Sequence, residues 1–252
     1  MRKYLSILVA MAFLSSCSLQ EGGEEGQVQF KCNMSPTAEL VKAPQKTLPE
    51  KFVPAADQFK LVISSQVGEV ASYPTFAEYD TPLLKQGNYN AAFSYGDPEI
   101  ESAENAAFAG QTDFTILPRQ IVSASVNLSL VNSVVSLEVG EWFRKYYTDY
   151  ELTVTTASGN EFTFSGNGAQ PLTQTDPFFV KAASDLYVSG TAVKTNGAEV
   201  QFTKTKIGTT AARTWHTLMI EADEVSGSAI NVTLNDNLVP VQVVEIELNP
   251  EV

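Results

Sequence analysis

Apolar and polar residues alternate along most of this chain. Phe59, Leu61 and Ile63 interleave with Lys60, Val62 and Ser64, and Tyr89, Ala91, Phe93 and Tyr95 repeat the pattern after Gly87-Asn88. Phe114 and Ile116 share one parity, while Val126, Leu128 and Leu130 form a stripe with Asn127 and Ser129 opposite. A period of two marks half-buried strands. The parity flips between Leu130 and the stripe Val135, Leu137, Val139. A one-residue slip exchanges the faces of a strand, so Asn132-Ser133 reads as a break between elements.

The second half continues in the same style. Tyr150, Leu152 and Val154 lead through Ser158-Gly159-Asn160 to Phe162 and Phe164, the pattern of a hairpin. Leu186 and Val188 precede Asn196-Gly197, a two-residue turn signal, and then Val200 and Phe202. Ile230, Val232 and Leu234 run into Asn235-Asp236-Asn237, and Val244, Ile246 and Leu248 close the series. Helix is expected only in two short stretches, 74–79 and 141–147. The pattern predicts an all-β chain of sandwich build. A faint echo links "FKLVISSQVGEVASY" from Phe59 to "YELTVTTASGNEFTF" from Tyr150: aromatic, strand, turn, strand ending on an aromatic. Two copies of one topology, meeting near Asn132, explain it; two unrelated sandwiches explain it nearly as well. The expected organisation is one sandwich over 28–132 and a second over 133–252.

The N-terminus differs from everything after it. Arg2 and Lys3 precede an apolar run from Tyr4 to Leu14, too short to cross a bilayer as a helix, and then Ser15, Ser16 and Cys17. One reading is an ordinary secretory signal with Cys17 as a bystander. The sharper one, adopted here, is a lipobox, Leu14-Ser15-Ser16-Cys17, which makes 1–16 a lipoprotein signal peptide and Cys17 the lipidated first residue. Acyl chains contribute about 0.8 kcal/mol per buried methylene, and more than one is needed for durable anchoring. Residues 17–27, with Glu21, Glu24 and Glu25 among glycines and no aromatic, then form a flexible acidic tether.

Charge and cysteine content narrow the class. Removing 1–16, with Arg2 and Lys3, leaves 236 residues and takes the formal charge from −13 to −15. Such a surface repels nucleic acid phosphates and anionic lipid headgroups, so nucleic acid is disfavoured as a partner. Once Cys17 is acylated, Cys32 is alone and no internal disulfide forms. Alternation turns Cys32 inward as an inert thiol.

The succession lipobox, "FKLVI", "GNYNAAFSYGDP", "AAFAGQTDFTI", "VNLSLVNSVVSLEV" and "FRKYYTDYELTV" resembles an uncharacterised lipoprotein family of Bacteroides-type bacteria, domain-of-unknown-function family 4493. The resemblance covers about 30–248 and rests on diffuse core patterns. That family looks like a relative of fimbrillin-type surface lipoproteins. The resemblance implies two tandem β-sandwiches, transthyretin-like or immunoglobulin-like, with one or two short helices, lipid-anchored in the outer membrane and facing the cell exterior. Only Cys17 carries over as a functional residue. Polymerising fimbrillin subunits have an Arg early in the mature chain; here the first after Cys17 is Arg119, which implies a cap, anchor or standalone role. The closing segment "LVPVQVVEIELNPEV", with Pro240 and Pro250, reads as a defended edge.

No motif carries catalysis, and no cofactor or metal is called for. His216 is the only histidine and cannot build a zinc site or a triad alone. Asp97, Glu99, Glu101 and Glu104 cluster in "GDPEIESAEN" but lack a calcium-loop pattern, so a solvated loop is expected. Trp142, Phe143, Tyr146 and Tyr147 are the densest aromatic group, able to stack on a sugar or to roof a core. Two functions follow: a structural or adhesive surface lipoprotein, such as a fimbria-type anchor or cap that meets other surface proteins, or a glycan-binding lipoprotein serving polysaccharide uptake.

Overall fold

The structure is a computed structural model and describes residues 23–40, 45–167, 176–227, 229–235, 237–241 and 243–246. The segment 1–16 expected to be a signal peptide, Cys17, Glu21, Leu248 and Pro250 lie outside the described residues.

The first half contains β1 (Glu25–Ser35), β2 (Thr37–Leu40), β3 (Lys46–Thr47), β4 (Lys60–Ser65), β5 (Gly68–Tyr73), β6 (Leu84–Lys85), β7 (Gly87–Tyr95), β8 (Phe108–Ile116) and β9 (Ile121–Leu130). Seven of them form one sheet in the order β5-β4-β7-β8-β9-β1-β6. Strands β8 and β9 pair only through Phe108–Leu130 and Ala109–Ser129, and there the sheet folds over. Its halves face each other: the Phe30 ring on β1 meets Phe93 of β7 and Phe114 of β8 edge-on, with centroids 5.4 and 5.5 Å apart. One folded sheet thus makes both layers of a sandwich. Strand β1 begins at Glu25, inside the stretch expected to be tether, because Glu25 and Gly26 pair with Lys85 and Leu84.

The second half holds β10 (Ser133–Val139), α1 (Glu141–Tyr146), β11 (Tyr147–Thr156), β12 (Glu161–Asn167), β13 (Phe178–Val180), β14 (Asp185–Lys194), β15 (Glu199–Thr209), β16 (Thr214–Ala222), β17 (Ile230–Leu234), β18 (Asn237–Val241) and β19 (Val243–Ile246). Two sheets, β13-β10-β16-β17-β18 and β12-β11-β14-β15-β19, enclose a core that includes Val135, Leu137, Leu152, Val154, Phe164, Phe178, Leu218 and Val232. The chain is therefore two tandem β-sandwiches.

The two halves repeat one topology. Strand β1 pairs in parallel with β9, and β10 with β16. On its other side β1 takes the short β6, and β10 the short β13, both antiparallel. The opposing layer runs β5-β4-β7-β8 in one half and β12-β11-β14-β15 in the other. Seven strands correspond in order, and the sequence echo falls on β4–β5 and β11–β12. Two unrelated sandwiches do not account for this. The second half alone adds β17, β18 and β19, which extend the sheets beside β16 and β15. The closing segment is thus divided between two sheets, with Pro240 on the outermost strand β18.

Three residues of the second half belong to the first half's core. Val134 on β10, Phe179 on β13 and Trp215 on β16 pack with Phe52, Phe108 and Leu130, while their neighbours Val135 and Phe178 point the other way. The layer β13-β10-β16 is therefore covered on both faces. Strand β2 crosses as well, pairing in parallel with Thr214 and Trp215 of β16.

Local chemistry explains the smaller elements. Between 74 and 79 only a 3-10 turn forms, Phe76–Glu78, and two further 3-10 turns, Glu50–Phe52 and Ala56–Gln58, escaped the sequence reading. The turn at Asn196-Gly197 is not a two-residue one. Lys194 N–H bonds the Ala198 carbonyl at 2.8 Å across a three-residue loop, with Gly197 at φ 87°. The hairpin at Gly159 (φ 87°) repeats this, Thr156 N–H bonding Asn160 at 2.9 Å. A left-handed third residue is what such a loop requires, and glycine supplies it without strain.

Candidate functional site

Among the sequence-derived candidates, the aromatic group is brought together most tightly. Helix α1 places Phe143 inside the second core, stacked on Tyr147 with centroids 4.6 Å apart. Trp142 and Tyr146 are half-buried over the same core and lie 6.5 Å apart, with the Lys145 ammonium 4.3 Å from the Trp142 ring. The hydroxyls are engaged: Tyr146 donates to the Glu224 carbonyl and Tyr147 to the Gly227 carbonyl, each at 2.8 Å. Glu221, from β16, caps the helix by accepting Phe143 N–H at 2.7 Å as well as Ala222 N–H at 2.9 Å. These rings fasten α1 and the 223–227 loop to the sandwich.

The acidic loop does not converge. Asp97 Oδ1 accepts Glu99 N–H at 2.9 Å, a local turn, whereas Glu101 is buried and reaches the second half, accepting Thr156 Oγ1–H at 2.5 Å and Asn160 Nδ2–H at 2.8 Å. Glu104 stays exposed beside Ala103 and Lys51. Among the described residues no three His, Cys, Asp or Glu side chains are grouped to hold a metal ion. His216 is buried, its Nε2 accepting Ala211 N–H at 2.9 Å and its Nδ1 lying 2.7 Å from the Asn235 amide. Burial pushes its pKa below the ordinary imidazole value. Cys32 faces inward, half-buried, and burial pushes its thiol upward, as befits an unreactive cysteine.

One concavity escaped the sequence reading. A cavity of about 500 Å³ lies against β4, β7 and β8, lined by Ser64, Gln66, Asn88, Asn90, Asp113 and Thr115 among others. Asn90 donates to Asp113 at 2.8 Å and Thr115 to Asn88 at 2.7 Å, so these groups chiefly join neighbouring strands. The signal for it lies in the outward parity of Asn88 and Asn90, polar residues on the strand face turned away from the core.

Residues 24–250 match the family model described as Domain of unknown function (DUF4493). The chain belongs to this family. A search of curated proteins returned no match. Among solved structures, this DUF4493 chain is similar to a fimbrial assembly protein from Parabacteroides distasonis, with 8% identity, TM-score 0.46, and 89% of this chain and 99% of that one covered. It is also similar to the fimbrial anchor protein Mfa2 from Porphyromonas gingivalis, with 11% identity, TM-score 0.40, and 86% and 100% covered.

Proposed function

We propose that this DUF4493 protein is a lipid-anchored surface protein with a structural or adhesive role, an anchor or cap of a fimbria-like assembly at the outer face of the cell. The observation that carries the reading is the lipobox Leu14-Ser15-Ser16-Cys17, placed a few residues before β1 begins at Glu25. Only a short acidic, Gly-rich stretch separates the acylated residue from the body. Two sandwiches joined by a shared core suit a load-bearing or spacing role, since pulling on one unit pulls on the other. The aromatic rings that a sugar would need are engaged by α1 and its loop, which favours this reading over a glycan receptor. Exchanging Cys17→Ala should move the protein from the detergent-extracted membrane fraction to the soluble periplasm, with its β-rich circular dichroism unchanged. Continued membrane association of that variant would overturn the proposal.

A further inference from the structure

One end of the first sandwich gathers exposed apolar side chains. Among the described residues seven large aliphatic side chains are exposed, and three of them lie near the start of β1: Leu83 (63% exposed), Leu117 (40%) and Ile121 (61%). The register places them there. Gly26 on β1 pairs with Leu84, the residue after Leu83, and Gln27 pairs with Ile121. A side chain at Gly26 would strike the carbonyls of Leu117 and Gln120, so the turn that carries Leu117 closes directly over the start of β1. Val67, in the β4–β5 turn, lies at the same end in the opposing layer, where Ser65 pairs with Tyr89 and Gly87 with Ile116, while Val70, Ile100 and Val225 lie on other segments.

Two basic residues stand at the same end, beside the acidic Glu24 and Glu25 at the start of β1. Lys85 stands opposite Glu25 in the β1–β6 pair, and Arg119 is exposed, its guanidinium beside Gly23 and its N–H bonded to the Glu25 carbonyl at 2.7 Å. This is where the chain enters the fold. From Cys17 to Gly23 there are six peptide links, whose covalent reach is at most about 20 Å. The headgroup layer on one side of a bilayer is roughly 6 Å deep. A tether this short keeps the entry end next to that layer.

We propose that this end of the first sandwich rests in the phospholipid headgroup layer of the membrane that holds the Cys17 lipid. Leu83, Leu117 and Ile121 dip toward the acyl boundary, and Lys85 and Arg119 sit at phosphate depth. Long cationic side chains of this kind keep their charged ends at the interface while their stems lie along apolar surface. The inference rests on the anchored reading of Cys17.

The molecule carries its own control. Arg119, in the β8–β9 turn, has φ 60°, and Arg213, in the matching β15–β16 turn, has φ 59°. Each donates its N–H near the start of the unit's first strand, Arg119 to Glu25 and Arg213 to Asn132. Both are exposed trypsin sites. The lipidated protein should be reconstituted in zwitterionic phosphatidylcholine vesicles and digested beside Cys17→Ser protein in solution, with cleavage followed by mass spectrometry. On vesicles, cutting after Arg119 should slow roughly tenfold relative to cutting after Arg213, the factor that burial of one aliphatic side chain supports. The Leu117→Glu, Ile121→Glu double variant should float with the vesicles yet be cut at the solution ratio. Protein that floats with Arg119 unprotected overturns this inference alone. Protein that fails to float overturns the anchored reading, and the inference falls with it.

Discussion

Removing the Phe179 ring should destabilise the first sandwich although Phe179 belongs to a strand of the second. The side chain is fully buried, its ring centroid lies 5.0 Å from that of Phe52, and its backbone exchanges two hydrogen bonds with Ser102, at 2.8 and 3.0 Å. The Phe179→Ala variant loses the ring and leaves a cavity among residues that cannot all collapse, a cost of about 3–5 kcal/mol. For a chain of this size each kcal/mol corresponds to about 2–4 °C in Tm, so the midpoint should fall by about 6–20 °C. The comparison variant is Phe178→Ala, one residue away, whose ring stacks on Phe162 with centroids 4.0 Å apart in the second core. If the two sandwiches are one cooperative body, both variants lower a single calorimetric transition by similar amounts. If they fold independently, the second unit loses little when Phe179 is cut back. A loss under about 1 kcal/mol for Phe179→Ala, with a normal loss for Phe178→Ala, would refute the shared core, because large-to-small core changes cost more than that.

Two further predictions concern single polar contacts. Because burial holds His216 neutral, its contribution is complete above the unfolded imidazole pKa of about 6.5 and declines as pH falls through that value toward the lower folded one. Urea titrations between neutral and mildly acidic pH should show the stability gap between wild type and His216→Gln narrowing with acidification; a constant gap would contradict the assignment. At the start of α1, a Cβ on Gly140 would collide with the Glu221 carboxylate that caps Phe143 N–H. Gly140→Ala and Glu221→Ala should therefore be non-additive, the pair costing about 1 kcal/mol less than the sum of the singles, since side chains in contact couple by 0.5–3 kcal/mol. Additive losses in a double-mutant cycle would show that the two positions do not interact.

How far the sequence could be read depended on how many faces of a strand are covered. Strands β4, β7, β9, β11 and β12 each bury one face, and alternation finds them. Strand β13 is Phe178-Phe179-Val180, buried on both faces, and its unbroken apolar run gives no period to detect. The same cause lies behind Asn132-Ser133. The parity change there leads into a strand whose adjacent residues Val134 and Val135 feed different cores. Asn132 itself is fully buried, bonding Ala107 N–H at 3.3 Å and the Asn105 carbonyl at 2.8 Å. The small pieces between β1 and β4 had no legible pattern because two- to four-residue strands and 3-10 turns are shorter than either period. The aromatic group was legible as a group, but its engagement with the 223–227 loop depends on contacts some 78–80 residues apart, which spacing does not reveal.

The shared core also sets an order on assembly. A chain emerging N-terminus first has the strands of its first sandwich once Leu130 has appeared. Yet Phe179 and Trp215, which close that sandwich's floor, follow 49 and 85 residues later. Until then Phe52, Phe108 and Leu130 face no partner from the second half, and the half-made protein presents an apolar opening. The first unit to be synthesised is thus the one that must wait, and a holdase able to cover that opening would act on the incomplete chain and have no binding surface there once Trp215 has docked.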